Sequence, residues 1–321
     1  ETLAGFFSFP AAWVLAVVFA AYLYVNFYFV LTYNQFAGKR GRFIALQFVQ
    51  SLLGFAVIAA LVFEGAGWQG VILGKIAGLV VTCLLGVAWL AKDLKLSFRL
   101  PERGQFKDMV KFGLVYLPTG FGLVAVPLTD RLIITHLLGL SENGLYGVAA
   151  LFGAALFVAI NGFLHAWMPW LFKRLGELQS NYRKEVTAVS LSFLLLLPAL
   201  GIFFYLVSML AAPLVVGPAF ASSFGLIPWA IAGTVAMGYF YHNQAFLHLR
   251  KAILPMSISS LTCILLNAYL SWYGALYYGV AGVLAATIAA FMISAVISGI
   301  YIVYHYNVFG SFLAFAQGNA R

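Results

Sequence analysis

Two adjacent charged residues, Asp130 and Arg131, lie inside an apolar stretch of sequence that is long enough to cross a lipid bilayer. The stretch, residues 110–138, also contains Pro118 and Pro127. Charge at the depth of hydrocarbon is costly, so it is usually retained where a pathway or a charged partner requires it. Membrane helices keep prolines mostly where the backbone faces protein or a wet cavity. The span therefore predicts a kinked helix beside a path through the membrane.

A second intramembrane cation, Lys75, lies seven residues into another apolar stretch, ~10 Å below its outer end at the rise of an α-helix. Arg131 lies eight residues before Gly139 and so at a similar depth. Arginine binds phosphate bidentately and lysine binds it as a point charge. Two such cations at one level across an interface between lobes predict a diphosphate site. In the alternative, Lys75 snorkels to the surface and Arg131 pairs locally.

Asp130 has three possible roles. Neighbouring side chains on a helix point in different directions, so Asp130 and Arg131 need not pair with each other. Asp130 could neutralise Lys75, bind a proton or a sodium ion, or form a structural salt bridge.

Asn161 and His165 are one helical turn apart in a later apolar stretch. On one helix face they could line a cavity and bind sugar hydroxyls. A buried histidine with a hydrogen-bonded neighbour is the structural alternative.

The elements that must position these residues follow from composition. The 321 residues are 64% hydrophobic and 8% charged, which indicates an all-α, polytopic membrane protein. The net charge of +9 would also suit nucleic acid, but membrane topology explains it better, so no nucleic-acid partner is expected. Nine apolar runs predict transmembrane helices at about 9–33, 43–63, 68–91, 110–138, 144–172, 186–212, 223–247, 252–272 and 279–304.

Orientation follows from the basic residues. Sixteen of the eighteen lysines and arginines lie in alternate connections and the tail, and the two others are Lys75 and Arg131. This is the positive-inside pattern, so those connections are predicted to be cytoplasmic. The longest of them, residues 92–109, is predicted to link two membrane lobes.

An internal repeat supports the two lobes. Asn34-Gln35 recurs as Asn243-Gln244, an offset of 243 − 34 = 209, and the same offset without a gap pairs Gly70 with Gly279. Spans one to three therefore repeat as spans seven to nine, and parallel repeats are a transporter architecture. Since spans four to six have no counterpart in the first copy, three further spans are expected before Glu1, giving twelve or more. The predicted divisions are the second half of an N-terminal lobe at 1–91, a linker at 92–109, a complete C-terminal lobe at 110–305 and a cytoplasmic tail at 306–321.

Other motifs are structural or absent. Small residues spaced by four predict a close helix-packing face: Gly70, Gly74, Gly78, Thr82 and Gly86. The sequence contains no zinc-ligand spacing, nucleotide P-loop or nucleophile elbow, so neither an enzyme nor a cofactor is predicted.

Four short motifs of the central region carry a family resemblance. KFGLVYLPTGFG is followed by the Asp130-Arg131 pair, then by Gly144-Leu145-Tyr146, and then by Ala166-Trp167-Met168-Pro169. In this order they resemble the Wzx-type flippases, the polysaccharide transporter branch of the multidrug/oligosaccharidyl-lipid/polysaccharide exporter superfamily. The resemblance implies a two-lobe bundle of the MATE and flippase type.

The function that the resemblance implies is the flipping of a lipid-diphosphate-linked oligosaccharide across the bacterial inner membrane. Its partners would be that substrate, membrane lipids and a coupling proton or sodium ion. One alternative is a cation-coupled multidrug exporter of the same superfamily, whose cavity should be acidic. A membrane-embedded glycan polymerase or ligase is the other, although the outer connections here are short.

Overall fold

The structure, a computed structural model, describes residues 10–94, 102–176, 182–249 and 252–306. Every regular element within these ranges is helical, which confirms the all-α class. The chain divides into two compact units, Glu1–Leu100 and Pro101–Arg321. The extents of the predicted lobes, linker and tail remain predictions.

The first unit contains three helices: α1 (Ala11–Phe36), α2 (Arg40–Phe63) and α3 (Gly67–Asp93). The predicted small-residue face of α3 is buried along its length. A Cβ added at Gly74 would lie 2.4 Å from Cγ1 of Ile58, and one at Gly78 would lie 2.8 Å from the backbone oxygen of Gln50. Since only glycine allows the backbones of α2 and α3 to approach so closely, the predicted packing role of the stripe is confirmed.

The second unit contains the longer helices. They are α4 (Arg103–Leu137), α5 (Leu140–Gly176), α6 (Tyr182–Val215), a 3-10 helix (Pro218–Leu226), α7 (Ile227–Leu249) and α8 (Ile253–Tyr306). Helix α4 begins at a capping box in which Glu102 and Gln105 exchange side-chain and backbone hydrogen bonds. It runs unbroken to Leu137, so Pro118 and Pro127 do not divide it into two helices.

Helix α8 folds back on itself at Gly279. This residue has φ +61°, and it is the one non-helical position within the helix. Asn267 Nδ2 lies 3.1 Å from Thr287 Oγ1, although twenty residues of straight helix would separate them by ~30 Å. The residues before and after Gly279 therefore form two antiparallel arms. These arms are the predicted eighth and ninth spans.

The position of this reversal differs from the prediction. The offset of 209 places the counterpart of Gly65, where the chain turns between α2 and α3 with φ +89°, at residue 274. The structure keeps the helix through residues 273–278 and turns at Gly279, five residues later. The expectation that the repeat keeps its turns in register without a gap is wrong here. The physical reason is that the first arm of α8 stays helical up to the reversal itself, whereas α2 ends at Phe63 and a separate turn leads into α3.

Large apolar side chains cover the outside of the helices. Phe63 is 91% exposed and Leu214 is 86% exposed, which suits a hydrocarbon solvent rather than water. Within the described ranges, seven helices are long and apolar enough to cross a membrane, with α8 counted once although it has two arms. Helix α4, the predicted span at 110–138, is not among the seven. The protein is a multi-pass membrane protein.

Candidate functional site

Asp130 is the centre of a polar cluster inside the second unit. Its side chain is fully buried. Tyr146 OH and Thr287 Oγ1 donate hydrogen bonds to Oδ2 over 3.2 Å and 2.7 Å. Asn267 Nδ2 and Ser271 Oγ donate to Oδ1, each over 3.0 Å. Four neutral donors from α5 and both arms of α8 thus converge on one carboxylate.

Local structure explains this convergence. Asn267 and Ser271 are one turn apart on the first arm of α8, so their side chains share a face. The reversal at Gly279 brings Thr287 of the second arm opposite them. At the C-terminal end of α4, Asn143 Nδ2 donates a hydrogen bond to Thr135 Oγ1 over 2.8 Å. This bond joins the first turn of α5 to the last turns of α4 and holds Tyr146 beside the aspartate.

The cluster holds a negative charge without a positive partner. Among the described residues, no lysine or arginine forms an ion pair with Asp130. Hydrogen bonds offset only part of the cost of burying a carboxylate, so a site of this kind favours a proton or a cation. A second sign is Asn267 Oδ1, which is buried and has no hydrogen-bond partner. A buried acceptor in contact with a carboxylate is suited to a cation.

Arg131 points away from the carboxylate of its neighbour. Its guanidinium carbon lies 5.6 Å from the ring centroid of Tyr146, a cation–π distance. A Cβ added at Gly147 would lie 3.7 Å from Arg131 Nη1, an ordinary van der Waals contact, so the guanidinium packs beside α5 at Gly147. The side chain is exposed and, within the described part of the chain, has no carboxylate partner. The expectation that Asp130 and Arg131 need not pair with each other is confirmed.

A cavity of about 340 Å³ contacts both charged residues. Its walls come from α4, α5, α7 and the second arm of α8, and apart from the two charges they are apolar or weakly polar. The aromatic and polar members of the lining are Tyr146, Phe157, Thr234, Thr287 and Phe291. The cavity thus combines one available cation, one buried carboxylate and aromatic faces.

Other predicted site residues lie elsewhere. Asn161 and His165 are half-buried on α5 and do not line this cavity; Asn161 is fifteen residues beyond Tyr146, ~22 Å along the helix axis. Lys75 is exposed on α3 of the first unit. The roles of all three as substrate ligands remain predictions.

Sequence reasoning missed three members of the cluster: Asn267, Ser271 and Thr287. Each is a neutral polar residue within an apolar span. The spacing of Asn267 and Ser271 by four was a visible signal, because it puts two polar side chains on one face of a membrane helix. Tyr146 appeared only as part of a motif, and its contact with both charges was not predicted.

Solved structures with the same fold are transporters. The chain is similar to MATE in complex with MaL6, with a TM-score of 0.70 and 16% identity over 89% of this chain and 67% of that chain. It is similar to the MATE transporter VcmN of Vibrio cholerae in the bent form, with a TM-score of 0.67 and 16% identity over 97% and 74%. A third is a MOP superfamily transporter from Pyrococcus furiosus, with a TM-score of 0.63 and 16% identity over 81% and 61%.

The fold is shared with transporters of the MATE family and the MOP superfamily. At these identities the likeness shows the fold alone, and the chain spans 61% to 74% of the length of those three structures. No curated protein matches the sequence significantly. Residues 1–175 match the family described as polysaccharide biosynthesis protein, which is more than half of the chain. The chain belongs to this family, as the resemblance predicted.

Proposed function

We propose that this protein is a flippase that moves lipid-diphosphate-linked oligosaccharide across the bacterial inner membrane by alternating access. The membership of a polysaccharide biosynthesis family and the transporter fold support the class. The observation that carries the proposal is Arg131, an arginine without a carboxylate partner among the described residues, on the wall of a cavity that α4 forms with α5, α7 and the second arm of α8. A guanidinium in this position suits an anionic ligand.

Diphosphate is the anion that suits this position. A guanidinium offers paired N–H donors in a planar fork that matches phosphate oxygens. The aromatic faces beside it, from Tyr146, Phe157 and Phe291, suit the apolar faces of sugar rings. The substrate therefore places its diphosphate at Arg131 and its first sugars along the cavity, while the lipid chain stays in the bilayer.

Asp130 supplies the site for a coupling ion. Six oxygen atoms from five side chains belong to the cluster: both Asp130 oxygens, Tyr146 OH, Asn267 Oδ1, Ser271 Oγ and Thr287 Oγ1. For its oxygen to face an ion beside the carboxylate, the amide of Asn267 must turn over. Hard cations are bound by such oxygen ligands. One carboxylate among neutral ligands matches a monovalent ion in charge, so sodium is the favoured ion, with a proton on Asp130 as the alternative.

A cation-coupled multidrug exporter is the second candidate, since MATE transporters share the fold. Such a transporter would bind cationic cargo, and its cavity would need an available acid. Here the carboxylate is enclosed by four donors and the exposed charge is a guanidinium. The arrangement favours an anionic cargo.

The test is glycan export by cells that depend on the full-length protein. Arg131→Ala should abolish export at a normal protein level, and Arg131→Lys should retain part of it because it keeps the charge but loses the bidentate geometry. Lys92→Ala, at an exposed cation at the end of α3, is the matched control and should export normally. Full export by Arg131→Ala at normal expression would remove Arg131 from the substrate path and refute the proposal.

Lys75 remains the second candidate for the diphosphate, on the sequence argument alone. Asn161 and His165 remain candidates for sugar hydroxyls on a more distant part of α5. In the same assay, Lys75→Ala should reduce export strongly, whereas Asn161→Ala and His165→Ala should change which glycans are exported. Normal export by all three variants would confine the substrate contacts to the cavity around Arg131.

A further inference from the structure

One side chain, Tyr146, contacts both charges of the cavity. Its hydroxyl donates to Asp130 Oδ2 over 3.2 Å, and the guanidinium of Arg131 lies over its ring at 5.6 Å from the centroid. The residue itself is 5% exposed, so its ring is enclosed by its neighbours. A phenol is thus placed between the two sites that are proposed for the cation and for the anion.

The two sites must influence each other electrostatically. Asp130 and Arg131 are neighbours in sequence and line the same cavity, where the low dielectric weakens screening. When the Asp130 site holds no cation, its negative charge opposes the binding of an anion at Arg131. A cation in that site cancels the negative charge, so the cavity becomes more favourable for the anion.

Tyr146 adds a structural link to this field. Without a cation its hydroxyl proton points to Asp130. A cation bound among the oxygens must instead face the lone pairs of the hydroxyl, so the proton turns away and the bond to Asp130 is lost. Because the ring carries Arg131 on its face, a shift of the phenol changes where the guanidinium presents its donors.

We propose that Tyr146 is a positioning residue that couples the two sites, so that sodium bound at Asp130 strengthens the binding of a diphosphate at Arg131. This rests on the proposed function, because it assigns the cation and the anion to those residues. The coupling is positive and reciprocal: the anion must strengthen sodium binding by the same factor. Substrate and sodium thus occupy the cavity together rather than in exchange.

The experiment measures inorganic pyrophosphate binding to the full-length protein in lipid nanodiscs by calorimetry. Titrations are run in sodium chloride and in choline chloride at the same ionic strength and pH. We expect sodium to lower the Kd of the wild-type protein roughly fivefold or more, the range in which coupled sites usually fall. Titration of sodium with and without pyrophosphate should give the same factor.

Variants of Tyr146 distinguish its coupling role from the binding of the two ions at Asp130 and Arg131. Tyr146→Phe keeps the ring under Arg131 and removes the hydroxyl, so pyrophosphate should still bind while the sodium effect falls to the smaller part that the electrostatic field alone supplies. Tyr146→Leu also removes the ring and should weaken pyrophosphate binding in both salts. The matched control is Tyr239→Phe, which removes a hydroxyl bonded to the backbone oxygen of Leu194 outside the cavity lining. It should keep the full sodium effect.

The outcomes distinguish this inference from the proposed function. Wild-type protein that binds no pyrophosphate would overturn the anion site and the coupling with it. Wild-type protein that binds pyrophosphate equally in both salts would overturn the coupling alone. A full sodium effect in both Tyr146 variants would overturn the role of Tyr146. If sodium weakened pyrophosphate binding, the proposed positive coupling would be wrong. Sodium and the anion would then bind in exchange and not together.

Discussion

The α2–α3 pair of the first unit and the two arms of α8 in the second are helix hairpins with different interiors. Glycines let the two backbones touch in both, since a Cβ at Gly78 would lie 3.2 Å from Gly54 Cα and one at Gly282 would overlap the backbone of Gly274. The second hairpin also carries a polar group around the buried Asp130, formed by Asn267, Ser271 and Thr287. One hairpin is thus packed through glycines alone, and the other combines glycine packing with a polar cluster.

The repeat offset compares the two hairpins in sequence. Subtracting 209 from the three polar positions gives residues 58, 62 and 78, where the first unit has Ile58, Val62 and Gly78. Because the two hairpins reverse five residues apart on this offset, these pairs correspond in sequence and not in position along the hairpin. The difference teaches that a glycine-packed hairpin gains a polar cluster when its facing arms carry an amide and two hydroxyls.

The strongest way to break this comparison is to make the second hairpin resemble the first at its central position. Asn267→Ile introduces the counterpart residue and removes a donor to the Asp130 carboxylate, which should destabilise the second unit by ~3 kcal/mol, the upper end for a hydrogen bond to a charged group. The melting temperature in detergent measures this loss. Sodium should no longer stabilise the variant.

The matched control is the double variant Asp130→Leu with Asn267→Ile. Because it removes the buried charge together with its donor, it should recover most of the lost stability while transport stays absent. If the double variant were no more stable than Asn267→Ile, the amide would act through packing. The interpretation that Asn267 stabilises the unit by donating to Asp130 would then be wrong.

Part of the fold could be predicted from the sequence because a membrane helix needs a long apolar run with few charges. The lengths of the apolar runs predicted nearly every span, and charges inside such runs are rare enough to mark Asp130 and Arg131. The donors to Asp130 were missed because neutral polar residues in apolar spans have many structural uses. Their convergence depends on the turn at Gly279, and a gapless repeat put that turn five residues too early. Lys75 and Arg131 belong to different units. Their predicted placement at one level across an interface therefore remains a prediction.

The first hairpin gives the next prediction, because its glycines have no room for a side chain. Gly78→Ala would place a methyl group 2.8 Å from the backbone oxygen of Gln50, so the helices must separate, at a cost of ~2 kcal/mol. Gly41→Ala is the matched control, since a Cβ there meets nothing within 4 Å, and it should be neutral or slightly stabilising. Melting temperatures in detergent compare the two. Equal values would show that α2 and α3 are not held together by close backbone contact.

A smaller effect is expected at the turn of the second hairpin. Gly279 has open space around its Cα but a φ of +61°, so a side chain there is strained by the backbone and not by neighbours. Gly279→Ala should lower stability by ~1 kcal/mol. Gly279→Asn should lower it less, since asparagine adopts the left-handed region more readily. If alanine were tolerated as well as asparagine, the reversal of α8 would not depend on a left-handed residue at this position.

The smallest effect is expected where the first unit has its own carboxylate, at the end of α3. Asp93 is bound by Lys39 and Arg42 over 2.5 Å and 2.6 Å, and the two cations also contact the rings of Tyr33 and Trp89. Unlike Asp130, it has cationic partners and lies near the surface, where salt screens ion pairs. Asp93→Asn should therefore reduce the melting temperature less than any variant above and leave export intact, and the reduction should shrink as salt is raised. Loss of export by this variant at a normal protein level, while the control Lys92→Gln exports normally, would show that the carboxylate of the first unit also takes part in transport.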